Sequence, residues 1–221
     1  MLTALALVLS QISPQLQRYV YPLAPQKPCP PVVVDATDLP AQQFWGDSAK
    51  AVVEQWYPRL TSLLSTQSYK GPKTIHLVIK KTLEVPAYAS NDTITINGDW
   101  ITKHPDDLGM IVHELTHIVQ SYPNSRTTPG WLVEGIADYT RWWRYEPEAP
   151  RRKIDFAKAN YTDAYTTTAA WLAWASDKYN RSLVPTLDLA LRERRDPMPE
   201  FKKLTGKSAE ELWQEFKAAK F

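Results

Sequence analysis

The chain has 221 residues, of which 43% are hydrophobic, and this length favours a single domain with a substantial core over two full-sized domains. Its 26 Lys and Arg residues nearly balance 24 Asp and Glu residues, so the formal charge is only +2 and nucleic acid is excluded as an expected partner. The single cysteine, Cys29, excludes an internal disulfide and a cysteine-based zinc site.

The first 25 residues are predicted to form an apolar leader. Met1 to Ile12 has about the length of a signal peptide, but it lacks an early positive residue and a small-x-small cleavage site. Two interpretations remain open: a weak signal for secretion or the cell envelope, or an apolar helix packed on a cytoplasmic domain. No apolar run approaches the roughly 18 continuous residues that a membrane span requires. We therefore expect one domain over residues 26–221.

The first part of this domain predicts two strands separated by a long helix. Val32 to Val34 is a β-branched run that indicates a short buried strand. Phe44 to Leu64 carries apolar residues at helical spacing, and Pro58 is expected to kink this helix. Ile75 to Lys80 alternates in the manner of a strand with one buried face.

A further strand is predicted from Thr93 to Asn97, with Asn97-Gly98 as the turn that closes it. The segment is short and polar on one face, which indicates an edge strand. An open edge at this place could pair with an extended substrate backbone, and an ordinary covered edge is the alternative.

The remainder of the chain predicts helices. Because strands come first and helices follow, the order favours an α+β domain, in which a short twisted sheet packs on the first of these helices. The predicted helices run from Pro105 to Tyr122, Trp131 to Tyr145, Thr166 to Tyr179 and Leu183 to Arg194, with short ones near Phe201 and from Ser208 to Ala219.

The helix predicted to begin at Pro105 carries the motif H-E-x-x-H. On a helix, His113 and His117 project from the same face one turn apart, so their imidazoles can bind a single tetrahedral zinc ion. Glu114 lies beside the open position of such a metal. There it can take a proton from the attacking water and later pass it to the leaving amine.

A catalytic zinc site needs a third protein ligand, and Glu134 follows at a workable distance. Glu134 and Asp138 are four residues apart on the next predicted helix, so they share a face. We expect Glu134 to bind the metal. We expect Asp138 to accept a hydrogen bond from the outward nitrogen of a ligand histidine, which would set its tautomer.

The alternative to a metal site is a pair of surface histidines on an exposed helix. It fits poorly, because polar residues without a ligand would be costly on a buried helix. Burial is indicated by the apolar residues around the motif: Ile111, Val112, Leu115, Ile118 and Val119.

With these motifs the chain resembles the plant basic secretory protein family of metallopeptidases and its bacterial and fungal relatives. The likeness extends from about Val32 over most of the chain. It implies a zincin-like metallopeptidase domain with a glutamate as third ligand, acting on peptides or proteins outside the cytoplasm. The family's pattern is met at His113, Glu114, His117, Glu134 and Asp138, within the runs 105–109, 113–117, 129–139 and 161–165.

Peptide hydrolysis also requires a group that stabilises the oxyanion of the tetrahedral intermediate, and Tyr165 is the candidate. It precedes a predicted helix start at which Thr166 to Thr168 offer caps. Tyr161 and Tyr122 are rivals, and all three could instead be packing aromatics.

The sequence therefore predicts a zinc-dependent peptidase, and an endopeptidase in particular, because no motif for binding a free amino terminus is recognisable. Two alternatives remain: a zinc-binding protein without catalysis, and a zinc hydrolase of a cell-wall polymer on which 9 Trp and 11 Tyr could stack. His76 and His104 are interpreted as structural or solvated residues. The pattern does not reveal the oligomeric state, and we expect a monomer.

Overall fold

The structure of the protein, a computed structural model, describes residues 26–64, 69–123 and 128–219. The predicted leader, residues 1–25, lies outside the described residues. No helix within the described residues is long and apolar enough to cross a membrane.

The described chain is an α+β structure of four strands and eight α-helices. The strands are β1 (Val32–Asp35), β2 (Ile75–Lys80), β3 (Ala87–Ser90) and β4 (Thr93–Asn97). The helices are α1 (Gln43–Leu64), α2 (Gly98–Lys103), α3 (Gly109–Gln120), α4 (Gly130–Thr140), α5 (Tyr165–Lys178), α6 (Leu183–Arg192), α7 (Met198–Thr205) and α8 (Ala209–Ala219).

The four strands form one mixed sheet in the order β1-β2-β4-β3. β1 and β4 both pair with β2 in parallel, whereas β3 pairs with β4 antiparallel. The prediction that Thr93 to Asn97 is an edge strand is therefore wrong. The strand that covers it, β3, was not predicted, because Ala87–Ser90 is short and lacks β-branched residues.

β1 was predicted to be a buried strand, but only one of its faces is covered. It is the other edge of the sheet, and its side chains alternate: Val32 is buried whereas Val33 is 48% exposed. A strand with one covered face shows this alternation, and three consecutive valines conceal it in the sequence.

The predicted turn at Asn97-Gly98 is also wrong, because these residues begin α2. The side-chain oxygen of Asn97 accepts hydrogen bonds from the backbone nitrogens of Asp99 at 3.0 Å and Trp100 at 3.3 Å. Asparagine in this position caps a helix start, so the same residue type that favours a turn here starts a helix.

α1 connects the sheet to the helix that carries the H-E-x-x-H motif. It continues through Pro58 to Leu64 and packs against β1, β2 and α3. Its fully buried side chains include Val53 and Leu60. α3 thus lies in the core, between α1, β3 and α4.

α3 begins at Gly109, four residues later than predicted. Residues 105–108 instead form turns, since the carbonyl oxygens of His104 and Asp106 accept hydrogen bonds from the backbone nitrogens of Asp107 and Leu108. Tertiary contacts hold these turns: the Trp45 indole donates to the Pro105 carbonyl at 2.9 Å. The helix ends at Ser121, which adopts a left-handed conformation with φ 36°.

α4 and α5 pack closely through a glycine. A Cβ added to Gly135 would lie 2.7 Å from the Cβ of Thr168 on α5, closer than packed carbon atoms approach. After α4, the predicted helix to Tyr145 continues as a π-helical segment, Arg141–Tyr145. Gly135 is adjacent to Glu134, so this packing also positions the second half of the predicted site.

We expect Gly135→Ala to lower the free energy of unfolding by about 1–3 kcal/mol, because the added methyl group overpacks the contact between α4 and α5. Gly130→Ala on the same helix is the matched control, since no atom lies within 4 Å of a Cβ at Gly130. Urea unfolding followed by circular dichroism measures both. Equal stability of the two variants would contradict the close packing of α4 on α5.

Candidate metal centre

α3 and α4 bring His113, His117 and Glu134 together. The Nε2 atoms of the two histidines are 3.2 Å apart. Oε2 of Glu134 lies 3.3 Å from Nε2 of His113 and 3.4 Å from Nε2 of His117. The three side chains thus point one donor atom each at a common centre, and they form a group that could hold a metal ion.

The spacing of these donors fits a small tetrahedral ion. Metal–ligand bonds of about 2.0–2.1 Å at tetrahedral angles place neighbouring ligand atoms roughly 3.3 Å apart. The three observed separations, 3.2, 3.3 and 3.4 Å, agree with that value. Two imidazole nitrogens and one carboxylate oxygen also leave a fourth position open.

Asp138 orients His113. Its Oδ1 lies 2.8 Å from Nδ1 of His113, and its Oδ2 accepts a hydrogen bond from the Thr166 hydroxyl at 2.8 Å. A proton on Nδ1 leaves the Nε2 lone pair of His113 directed at the common centre. Asp138 is buried, so this arrangement is held away from bulk water.

Gln120 orients His117 in the same way, and this contact was not predicted from the sequence. Oε1 of Gln120 lies 2.8 Å from Nδ1 of His117, while its Nε2 donates to the Val133 carbonyl at 3.0 Å. Gln120 is 2% exposed and lies three residues after His117 on α3. That spacing on a helix was the available signal.

Without a metal ion, His113 and Glu134 shift each other's pKa values. Burial favours a lower pKa for His113, but hydrogen bonds to Asp138 and Glu134 raise its pKa to about 9. Burial likewise opposes ionisation of Glu134, yet its hydrogen bonds with His113 and His117 lower its pKa to about 2. His113 therefore carries a proton at neutral pH that a metal ion must displace.

Glu114 lies in the same cleft beside the donor group. It is 8% exposed, and burial raises its pKa above the ordinary value for a glutamate. The backbone of Ala89 on β3 hydrogen-bonds to it, which acts in the opposite direction. A carboxylate with a raised pKa is a stronger base than a solvated one, so Glu114 is suited to proton transfer.

A cavity of about 610 Å³ opens over the donor atoms. β3 forms one wall of it through Ala87, Tyr88 and Ala89. Among the described residues five large hydrophobic side chains are exposed, and Val85, Tyr88 and Tyr165 of these line the cavity. Such exposed apolar side chains around convergent polar groups are typical of a binding cleft.

Tyr165 lies at the mouth of the cleft. Its ring stacks on that of His113 with centroids 6.2 Å apart, and it remains 55% exposed. Ala164 and Tyr165 both have positive φ angles, 63° and 45°, which is a strained conformation for residues other than glycine. The negative charge of Glu134 and burial raise the pKa of Tyr165.

The predicted threonine caps of α5 are not formed. The Thr166 hydroxyl donates to Asp138 and that of Thr168 donates to the Tyr161 carbonyl, and no side chain caps the helix start. Tertiary partners outside the helix bind these hydroxyls, which a local capping rule does not anticipate.

The rival tyrosines and the two other histidines lie elsewhere. The Tyr122 hydroxyl donates to Asp188 at 2.7 Å, and Tyr161 packs on the rings of Trp131 and Trp171. His76 lies within β2, and His104 stacks on Trp100 with centroids 4.1 Å apart. None of the four belongs to the group of donor atoms.

Arg141, the first residue of the π-helical segment, also lines the cleft. Its Nη2 donates to Asp107 at 2.6 Å and its Nε donates to Glu146 at 2.7 Å. Sequence reasoning missed it, because it lies in a stretch with the pattern of an ordinary helix. π-Helical turns occur frequently at functional sites.

The fold and the donor group define an α+β protein with a two-histidine, one-carboxylate site that can hold a metal ion. A family model, BSP, described as a peptidase of plants and bacteria, matches residues 37–216, and the chain belongs to this family. The resemblance found in the sequence is thereby confirmed. Searches of curated proteins and of solved structures gave no significant match.

The pKa of His113 predicts how the binding of a metal ion, tested with zinc, depends on pH. Since its folded-state pKa is about 9, the ring is protonated at pH 7, and an ion that binds to it must displace that proton. We expect the affinity to rise about tenfold per pH unit from pH 7 towards pH 9. Calorimetry in buffers of different ionisation enthalpy measures the proton release, and binding without it would contradict the assignment.

We expect Gln120→Leu to weaken zinc binding about 10–100-fold, because His117 loses the acceptor that orients its ring. Gln120→Glu keeps an acceptor for His117 and loses the donor to Val133, so it should bind zinc more tightly than the leucine variant. Competition with a chromophoric chelator measures both affinities. Wild-type affinity in Gln120→Leu would show that Gln120 does not orient the ligand.

Proposed function

We propose that the protein is a zinc-dependent endopeptidase with a zincin-like domain. The observation that carries the proposal is the group His113, His117 and Glu134, whose donor spacing suits tetrahedral zinc, with the buried Glu114 beside it. Membership of a family described as a peptidase supports the same reaction class.

His113, His117 and Glu134 would hold the zinc ion. Bound there, zinc would lower the pKa of a coordinated water and polarise the substrate carbonyl. Asp138 and Gln120 keep both imidazoles in the tautomer that presents Nε2. These two contacts also limit ring rotation, so the donors need little reorganisation when the ion binds.

Glu114 serves as general base and then as general acid. Its carboxylate accepts the proton of the attacking water and transfers that proton to the nitrogen of the leaving amine. Burial raises its pKa, which favours uptake of the proton, and Glu114 lines the same cleft as His113 and His117.

The substrate backbone binds along β3. The sequence predicted an open edge for substrate pairing at Thr93 to Asn97, and β3 is the strand that lies at this edge. β3 is an edge of the sheet, pairs only with β4 among the described strands, and lines the cleft from Ala87 to Ala89. An extended peptide can add to such an edge through main-chain hydrogen bonds. This favours a peptide over a compact ligand.

Tyr165 stabilises the oxyanion. A tyrosine is protonated at neutral pH, and the negative charge of Glu134 and burial raise the pKa of Tyr165 further, so its hydroxyl can donate a hydrogen bond. The strained backbone at Ala164 and Tyr165 turns the ring towards His113 and the cleft. Exposure of the ring leaves room for it to adjust when a substrate enters.

The polymer-hydrolase alternative is weaker. Stacking on sugars requires exposed aromatic rings, whereas Trp171, Trp174 and Trp213 are buried in the core. The aromatic residues that line the cleft are Tyr88 and Tyr165. The other alternative is a protein that binds zinc without catalysis. Measurement of substrate turnover distinguishes it from a peptidase.

We further propose that the protein acts as a monomer outside the cytoplasm. The support for the location is the apolar run from Met1 to Ile12, which has about the length of a signal peptide. A peptide or protein is then the expected partner. The near balance of 26 basic and 24 acidic residues continues to argue against nucleic acid.

We expect Glu114→Gln to retain about one zinc per chain while kcat/KM for casein cleavage falls about 100-fold or more, because the proton acceptor is lost and the metal ligands remain. Glu54→Gln, an exposed glutamate on α1, is the matched control and should cleave as the wild type does. Elemental analysis and a casein assay give the two readouts.

Other results of the zinc and casein measurements would contradict different parts of the proposal. Zinc in the wild type without cleavage would favour the non-catalytic alternative. A wild type that takes up no zinc would overturn the metal assignment, and full activity in Glu114→Gln would remove Glu114 from the reaction.

A further inference from the structure

A second cavity, of about 500 Å³, adjoins the metal cleft at Tyr165. Tyr165 lines both cavities, so the two lie next to each other. The second cavity is formed by the loop that precedes α5 and by the first turn of that helix. A peptide that crosses Tyr165 would therefore contact both.

Three cations and two carboxylates line the second cavity. Arg152, Lys153 and Lys158 line it together with Asp155 and Asp163. Both carboxylates have local partners: Asp155 accepts from the backbone of residue 157 at 3.2 Å and pairs with Lys158 at 3.8 Å, and Asp163 accepts from the backbone of residue 160 at 2.9 Å.

Arg152 and Lys153, unlike Lys158 and the two aspartates, have no partner for their charges within the described part of the chain. Both are exposed, and neither has an ion pair or a side-chain hydrogen bond among the described residues. Their charges are therefore available to a ligand. An arginine guanidinium is well suited to a carboxylate, which it can bind through two parallel hydrogen bonds.

The metal cleft offers no comparable side-chain cation among its described lining residues. Its arginine, Arg141, is already paired with two carboxylates, Asp107 and Glu146. The unpaired cations of the second cavity can therefore select where an acidic residue lies along a bound peptide.

We propose that the second cavity binds the carboxylate side chain of an Asp or Glu a few residues from the scissile bond, through Arg152 and Lys153. The proposal rests on the proposed peptidase function and adds a substrate class to it: peptides with an acidic residue at one defined position. Two adjacent cations on a nearly neutral chain suit a single carboxylate better than a polyanion.

The test uses peptides with blocked termini that differ at one position, Glu or Gln, with that position moved along both sides of the cleaved bond. At one position we expect the zinc-loaded wild type to prefer Glu about fivefold in kcat/KM. This preference should shrink as salt is added, because the cations are exposed. In Arg152→Gln/Lys153→Gln the ratio should fall to about one.

Two further variants sharpen the result. Lys202→Gln on α7 removes a positive charge from a helix outside both cavities, and it should keep the wild-type ratio. Arg152→Glu/Lys153→Glu should instead prefer a peptide with Lys at the selected position. A reversal of preference cannot result from partial unfolding, which would slow cleavage of all peptides alike.

The outcomes are distinguishable. A wild type that cleaves casein but shows no Glu preference at any position overturns this proposal and leaves the peptidase function intact. The Gln peptide with its carboxyl terminus left free is a further probe: if the wild type prefers it to the blocked Gln peptide and shows no Glu preference among the blocked peptides, the cavity binds that terminus and the side-chain assignment is overturned. A wild type that cleaves neither casein nor any peptide overturns the proposed function, and this proposal with it.

Discussion

The close approach of α3 to α4 is the constraint on which the site depends. The Thr116 and Thr140 hydroxyls, one on each helix, lie 2.5 Å apart in the buried interface, and Asp138 reaches across it to His113. Small displacements of one helix would separate Glu134 from the two histidines by more than a metal ion can bridge. Close-packed interiors resist such displacements, so the packing maintains the donor spacing.

The same interface has to accommodate buried charge. His113, Asp138 and Glu134 would each be costly alone in an apolar core, but together they satisfy one another. A protonated His113 between two carboxylates takes, in part, the electrostatic role of a metal cation. A metal ion that binds to Nε2 of His113 would take over this role and release the proton.

Some features of the site and the fold could be predicted from the sequence, and others could not. The helical spacing of His113 and His117 and that of Glu134 and Asp138 are local properties, and each pair lies on one helix face as predicted. The edge strand is misplaced by the prediction because Ala87–Ser90 is short and lacks β-branched residues. Asn97 was read as a turn because asparagine serves turns and helix caps equally well.

By itself the sequence determined the motif, the class of chemistry, the family resemblance and the α+β order of elements, because these depend on residue type and on spacing within single elements. Only the tertiary structure decided the 3.2–3.4 Å donor spacing, the orienting role of Gln120, the covering of β4 by β3 and the position of Tyr165 where two cavities adjoin. Those features join elements distant in the chain, and their geometry comes from packing, which periodicity does not encode.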